Sequence, residues 1–288
     1  MSVRERVVRA NGLAHHVLSW EAEGPTVLLA HGFLDLGWSW RWVAERLQAA
    51  GYRCVAWDWR GHGETEHVGA GGYYHFPDYV LDLDELLPQL RLMDEPVHLI
   101  GHSMGGTVST MFAGLRSDRL ASLTLVEGLG PPAWELEKAP TKFEAWLSSV
   151  AKVRGRRRPP RPLSLDECLR RMRMQNPQLD EEKGRFLAEK ATRPAEGEEG
   201  EGRLWRFDRL HRTTSPMPFR VEIFGAFLER IAVPTLVVLG EKGFRLPDEA
   251  ERYGRLADHE VVEIAGAGHM LHWEKPDELA DAWLAFAP

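Results

Sequence analysis

Val97-His98-Leu99-Ile100-Gly101-His102-Ser103-Met104-Gly105-Gly106 decides the reading of the chain. Its first four residues form an apolar run of strand type. Beyond the turn, Val108, Met111, Phe112 and Leu115 recur at i, i+3, i+4 and i+7, one apolar face of a helix. Between them stands Gly-x-Ser-x-Gly. A serine between a buried strand and a helix is held in a tight, strained backbone. The residues two positions either side must lack side chains so that strand and helix can approach. Such a turn lifts the Ser103 hydroxyl above the sheet, and the amides at the helix N-terminus face any negative charge that develops there. The motif alone is weak, because small residues recur often. With a strand before it and a helix after it, the motif is specific.

Working outward, residues 3–19 read as two strands around Ala10-Asn11-Gly12, an Asn-Gly hairpin signal. Residues 26–30 form an apolar strand that ends in His31-Gly32-Phe33-Leu34-Asp35, and Trp40, Val43, Ala44 and Leu47 then make a helical stripe. Residues 53–57 form the next strand, ending in Asp58-Trp59-Arg60-Gly61-His62-Gly63. A Gly-rich stretch precedes a helix with Val80, Leu83, Leu87 and Leu90 on one face, which Pro88 is expected to kink. Residues 120–126 read as a strand. From about 131 to 230 the chain turns helical and strongly charged, with a basic run (Arg154, Arg156, Arg157, Arg158, Arg161) and an acidic run (Glu196 to Gly202) that read as solvated faces. The strand–helix rhythm resumes at 233–239, followed by a helix over 248–256, a strand over 260–264 and a helix over 276–286. This alternation predicts an α/β fold with a mainly parallel sheet covered on both faces. Its core is expected to comprise 1–130 and 231–288, with 131–230 inserted as a helical cap over the carboxyl ends of the strands.

Composition narrows the function. Hydrophobic residues make up 43% of the 288 and charged ones 27%, enough for a substantial core. The net charge of −7 gives no general affinity for nucleic acid or an anionic membrane. The charged start Met1-Ser2-Val3-Arg4-Glu5-Arg6 lacks the apolar segment of a signal peptide, and no apolar run approaches the roughly 20 residues of a membrane span. Cys54 and Cys168 read as free thiols in a reducing compartment. A cytoplasmic protein with a small-molecule substrate is expected. No H-E-x-x-H or C-x-x-C occurs, nor any G-x-G-x-x-G or Walker-type Gly-Lys-Ser/Thr, so neither a metal nor a cofactor is implied.

A serine hydroxyl needs a general base, normally an imidazole held by an acid. Of the 12 histidines, His269 stands out. It lies just past a strand in Ala265-Gly266-Ala267-Gly268-His269-Met270, a loop whose glycines permit unusual backbone angles and that needs no histidine for structure. His272 is the fallback. A carboxylate capping an apolar strand at the active end of a sheet is costly without a partner, and Glu127 ends the strand Leu123-Thr124-Leu125-Val126 in that way.

His31-Gly32-Phe33, Asp58-x-Arg60-Gly61-His62-Gly63, Gly101-His102-Ser103-Met104-Gly105-Gly106 and Gly268-His269, in that order, resemble the α/β-hydrolase superfamily. The resemblance covers about 1–130 and 231–288. It implies a nucleophile–acid–histidine triad in chain order and an oxyanion hole from the backbone N–H groups of Phe33 and Met104. Most relatives carry the acid as Gly-x-x-Asp after the strand corresponding to 235–239; here Gly240-Glu241-Lys242-Gly243 puts Gly243 in the place of that aspartate. A subset of the superfamily, including some haloalkane dehalogenases, carries a glutamate after the preceding strand, as Glu127 stands here. Glu127 is therefore favoured over Glu241, with Asp248 third. Asp58 and Arg60 are expected to tie a loop beside the site, and Asp35 to orient the oxyanion turn. Trp38, His102 and Trp205 are the candidate substrate contacts.

The expected activity is that of a cofactor-free serine hydrolase on a small to medium carboxylic ester, through an acyl-enzyme. Serine rather than aspartate at position 103 argues against dehalogenase and epoxide-hydrolase chemistry, which needs a carboxylate to displace at saturated carbon. A serine-dependent C–C bond hydrolase, lactonase, amidase or perhydrolase uses the same residues, and a non-catalytic binder is the reading from another class.

Overall fold

The computed structural model describes residues 3–156, 160–197 and 200–287. Met1 and Ser2, Arg157 and Arg158 of the basic run, and Glu198 and Glu199 of the acidic run lie outside the described residues. The hairpin forms as read: β1 (Val3–Ala10) and β2 (Leu13–Trp20) pair antiparallel, and Asn11 and Gly12 both take positive φ, as the tight two-residue turn requires. β3 (Thr26–Ala30) then runs through a 3-10 turn at Gly37–Trp40 into α1 (Arg41–Ala49), so the stripe beginning at Trp40 divides between two helix types. β4 (Arg53–Trp57), α2 (Phe76–Gln89), β5 (Val97–His102), α3 (Met104–Arg116) and β6 (Leu120–Val126) complete the first part. Pro88 falls in the last turn of α2, which stops at Gln89; the expected kink is thus a helix end, followed by Arg91 at φ 59°.

Between β6 and β9 (Thr235–Gly240) the chain builds α4 (Ala139–Arg154), α5 (Leu165–Gln175), α6 (Glu181–Lys190) and α7 (Val221–Leu228). It also forms an unanticipated hairpin, β7 (Thr192–Pro194) on β8 (Arg203–Trp205). Three-residue strands are too short to leave a periodic trace. The expected helix over 248–256 shrinks to α8 (Glu249–Tyr253), because Gly254 closes it and the Asp248 carboxylate accepts from Arg252 Nε (2.9 Å) instead of capping the helix. β10 (His259–Ile264), α9 (Leu271–Glu274) and α10 (Pro276–Phe286) end the chain.

Among the described residues one sheet has eight strands in the order β1-β2-β4-β3-β5-β6-β9-β10, antiparallel at β1–β2–β4 and parallel from there on. Alternation along the strands splits the apolar residues into two layers. Leu28, Leu99, Leu123 and Val237 pack with α2, α3 and α7, while Val27, Leu29, Ile100 and Val238 pack with α1 and α10. Both faces being covered is what makes the parallel strands continuous apolar runs. Cys54 and Cys168 are free and buried. No helix among the described residues is long and apolar enough to cross a membrane.

The segment between β6 and β9 seats on the core loops through specific contacts. Asp208 N donates to Gly61 O (2.8 Å), Tyr74 Oη donates to Asp208 Oδ2 (2.7 Å), and Lys183 Nζ donates to Trp273 O (2.8 Å). The His211 ring lies 3.9 Å from that of Tyr74 and 4.1 Å from that of His62.

Candidate active site

Ser103 is the residue between β5 and α3, at φ 51°, ψ −115°. This is a costly conformation for a residue with a side chain. The neighbouring strand holds it: Ser103 N donates to Val126 O (2.9 Å). Gly105 explains the glycine beyond it, since a Cβ there would collide with the Ala30 carbonyl of β3. On the strand side, a Cβ at Gly101 would crowd Ser109 Oγ and Gly105 O.

Three side chains from three loops meet here. Ser103 Oγ lies 3.1 Å from His269 Nε2, and His269 Nδ1 lies 3.1 Å from Glu127 Oε2. A carboxylate only accepts, so Nδ1 carries the proton and Nε2 is left to accept from the Ser103 hydroxyl. Glu127 sits just past β6 at φ 50° with its side chain fully buried. Its two oxygens also accept from Gly240 N (2.8 Å) and Phe244 N (2.7 Å), which compensates a buried charge with three N–H donors. The His269 side chain is 38% exposed, so the base is reached from solvent.

The rival acids are engaged elsewhere. Glu241 accepts from Gly266 N (2.6 Å) on the surface, and Asp248 pairs with the buried Arg252. Gly243, in the place of the usual aspartate, has a physical reason to be glycine: a Cβ there would fall on the Glu127 carboxylate.

The turn at 31–35 lies against Ser103. A Cβ on Gly32 would approach Ser103 Cβ to 3.2 Å and His102 Nδ1 to 2.7 Å. His31 anchors this turn through Nδ1–H to Gly32 O (2.7 Å), accepting from Trp59 N at Nε2 (3.0 Å). Among the described residues neither Phe33 N nor Met104 N has a hydrogen-bond acceptor. Asp58 and Arg60 do tie the adjacent loop, each with its own partners. Asp58 accepts from Gly37 N (2.6 Å) and Glu64 N (2.8 Å) and pairs with His16 (2.8 Å). Burial alone would raise the Asp58 pKa, but the His16 hydrogen bond and charge outweigh it and hold the group below the ordinary carboxylate value. Arg60 grips Asp82 with two N–H groups (2.5 and 2.6 Å).

The expected substrate contacts are placed differently. Trp38 is buried between Trp20 and Phe186, and Trp205 stacks on Phe207 beside the small Leu163–Cys168–Ala188 cluster of the inserted segment. Neither touches Ser103, His269 or Glu127 through a hydrogen bond or ring contact. His102 is 1% exposed and turned beneath the site, where its Nε2 donates to His269 O (2.8 Å). His272, the fallback base, is fully buried with Nε2 3.0 Å from Asp35 Oδ2. Burial pushes the Asp35 carboxyl up to about 6.

Sequence reasoning missed Glu274, which accepts from Gly268 N (2.6 Å) and holds the loop of the base. The stretch 205–212, which mixes aromatics with cations and reads from sequence as lid packing or a pocket lining, places the His211 ring 5.7 Å from that of Phe33, with its pKa brought down to about 4 by burial. Asp35, His102 and His272 gather ligand-type atoms within 4.8 Å of one another, a grouping that no spacing motif announces.

Comparison with known proteins agrees with this fold. A family model described as alpha/beta hydrolase fold matches residues 25–276. A serine hydrolase-like protein of Danio rerio is 28% identical over 90% of this chain and 80% of its own. Epoxide hydrolase 3 of Siraitia grosvenorii is 37% identical, but the match spans 40% of this chain and little more than a third (36%) of that relative. Among solved structures, the thioesterase domain from the curacin biosynthetic pathway superposes with a TM-score of 0.84 at 30% identity, over 99% of this chain and 100% of that one. A hypothetical protein from Pseudomonas aeruginosa PAO1 superposes at 0.84 and 29%, over 98% and 97%.

Proposed function

The chain belongs to the alpha/beta hydrolase fold family, and on that premise we propose that it is a cofactor-free serine hydrolase of small to medium carboxylic esters. The observation that carries the reading is the unbroken chain Ser103 Oγ to His269 to Glu127, with 3.1 Å at each step. Ser103 Oγ attacks the ester carbonyl as its proton passes to His269 Nε2. Glu127, fixed by two amides, stabilises the imidazolium and keeps the reactive tautomer. The free amides of Phe33 and Met104 receive the oxyanion, a contribution of about 3 kcal/mol per donor in enzymes of this kind. His269 returns its proton to the leaving alkoxide, and water activated by the same imidazole releases the acid. Residues 131–230 act as the cap, with the His211 ring 5.7 Å from that of Phe33.

The relatives named epoxide hydrolase do not redirect this reading, because epoxide opening through a covalent ester needs a carboxylate where Ser103 stands. The thioesterase domain favours a second one: the same acyl-enzyme formed from a thioester, whose thiolate leaves with less help from the acid. A fluorophosphonate probe tests the shared step, and the expected outcome is one adduct per chain, mapped to Ser103. p-Nitrophenyl esters of graded acyl length, run beside the matching N-acetylcysteamine thioesters, then rank the two acyl donors by kcat/KM. A folded protein that neither labels nor hydrolyses any of them is a binder, and the enzyme reading is lost.

A further inference from the structure

His269 does its chemistry through the ring, but the position of that ring depends on how its main chain is held. The loop 265–270 that carries it is glycine-rich and lies past the end of β10. One side chain reaches it from the strand of the nucleophile. His102, the last residue of β5 and the neighbour of Ser103, donates from Nε2 to His269 O at 2.8 Å, across a sequence separation of 167.

The state of His102 follows from its surroundings. A carbonyl only accepts, so Nε2 bears the proton. Nδ1 has no hydrogen-bond partner and is packed against Gly32. Burial, with His272 and His269 close by, takes the pKa of His102 well below the ordinary value, so the ring stays neutral and this tautomer persists. Behind it the ring is backed rather than free. The His272 ring lies 4.3 Å away, itself 4.8 Å from the ring of Trp40, with its Nε2 3.0 Å from Asp35 Oδ2.

We propose that His102 is a positioning residue for His269: its Nε2–H clamps the His269 carbonyl to the strand bearing Ser103 and so sets the reach from imidazole to hydroxyl. Asp35, His272 and Trp40 form the rigid backing of that clamp. The proposal rests on the acyl-transfer reading above, and it replaces the expectation that His102 touches substrate.

The test uses the full chain carrying His102→Phe, which keeps a ring and loses the donor, and His102→Gln, whose amide nitrogen reaches about as far as Nε2. Three quantities are read: kcat and KM for p-nitrophenyl butyrate, the rate of fluorophosphonate labelling, and amide exchange in 265–270. A base displaced by a fraction of an ångström to about 1 Å should lower kcat roughly ten- to a hundredfold in His102→Phe, with labelling slowed in parallel. KM should stay within about twofold, since no ground-state contact is removed. Exchange in 265–270 should rise in His102→Phe, and His102→Gln should restore both properties most of the way. If His102→Phe does not fold, His102→Asn, whose amide stops short of the carbonyl, takes its place against the Gln variant. A folded donor-less variant with the parental kcat and exchange overturns the clamp, and so does a raised KM at unchanged kcat. A parent that neither labels nor hydrolyses overturns the acyl-transfer reading instead, while the exchange comparison still decides the clamp.

Discussion

Ser103→Ala is expected to lower ester turnover by at least about a thousandfold, towards the ~10⁶ that removal of a triad nucleophile costs elsewhere. Among the described residues no other side chain hydrogen-bonds to His269 Nε2, the Phe33 and Met104 amides supply no nucleophile, and His269 acting on water lacks the preorganised oxygen 3.1 Å away. The fold should survive. Among the described residues the side-chain hydroxyl bonds only to His269, a part-buried contact whose loss costs about 1 kcal/mol. The strained backbone at φ 51° is as tolerable for alanine as for serine. Steady-state turnover beside a thermal melt checks both halves. Residual activity above about one per cent in a cleanly folded variant would sink the assignment, because it far exceeds what a site without its nucleophile leaves.

Glu127→Gln should approach that loss, with kcat down about 10³- to 10⁴-fold, as when a triad aspartate becomes an amide. Both glutamate oxygens face donors here: Gly240 N on one side, Phe244 N and His269 Nδ1 on the other. An amide offers one acceptor and one donor, so whichever way the new side chain is turned its NH₂ meets an N–H. Turned towards His269, it drives the proton to Nε2 and leaves the imidazole unable to accept from Ser103. Turned away, it strands the Gly240 amide, which costs about 1–3 kcal/mol of stability. Glu241→Gln is the control. Its carboxylate holds the Gly266 amide at the surface, and turnover should stay within about twofold. Turnover lost in Glu241→Gln and kept in Glu127→Gln would reassign the acid to the later strand.

How much of this is legible in the sequence depends on how local the cause is. The elbow at Ser103 can be read because strand, turn and helix each leave their own periodicity within about 20 residues. Glu127 can be read because a carboxylate at the end of an apolar strand demands an explanation. The hairpin of β7 and β8 cannot, since Arg203 also bridges to Leu163, some 30 residues before β7. Residue type points Trp38 and Trp205 to the pocket, yet which surface a tryptophan covers is fixed by tertiary packing. His102 misleads for a better reason, its adjacency to the nucleophile. Parity along β5 holds the correction: Ile100 faces the α1 and α10 layer, and a residue two further on faces the same side, under the site and not over it. What parity cannot supply is the partner, because the His269 carbonyl arrives from the far end of the chain.

That a Cβ at 243 would fall on the Glu127 carboxylate couples the two positions. An aspartate after β9 and a glutamate after β6 compete for one volume and for the same amides, so a single chain holds one or the other. Starting from the present arrangement, acquiring the aspartate first drives two carboxylates together, and surrendering the glutamate first leaves the imidazole unsupported. Each single step is harmful although both end points work, which is reciprocal sign epistasis. Gly243→Asp and Glu127→Gly are therefore expected to lower turnover singly and to recover part of it together.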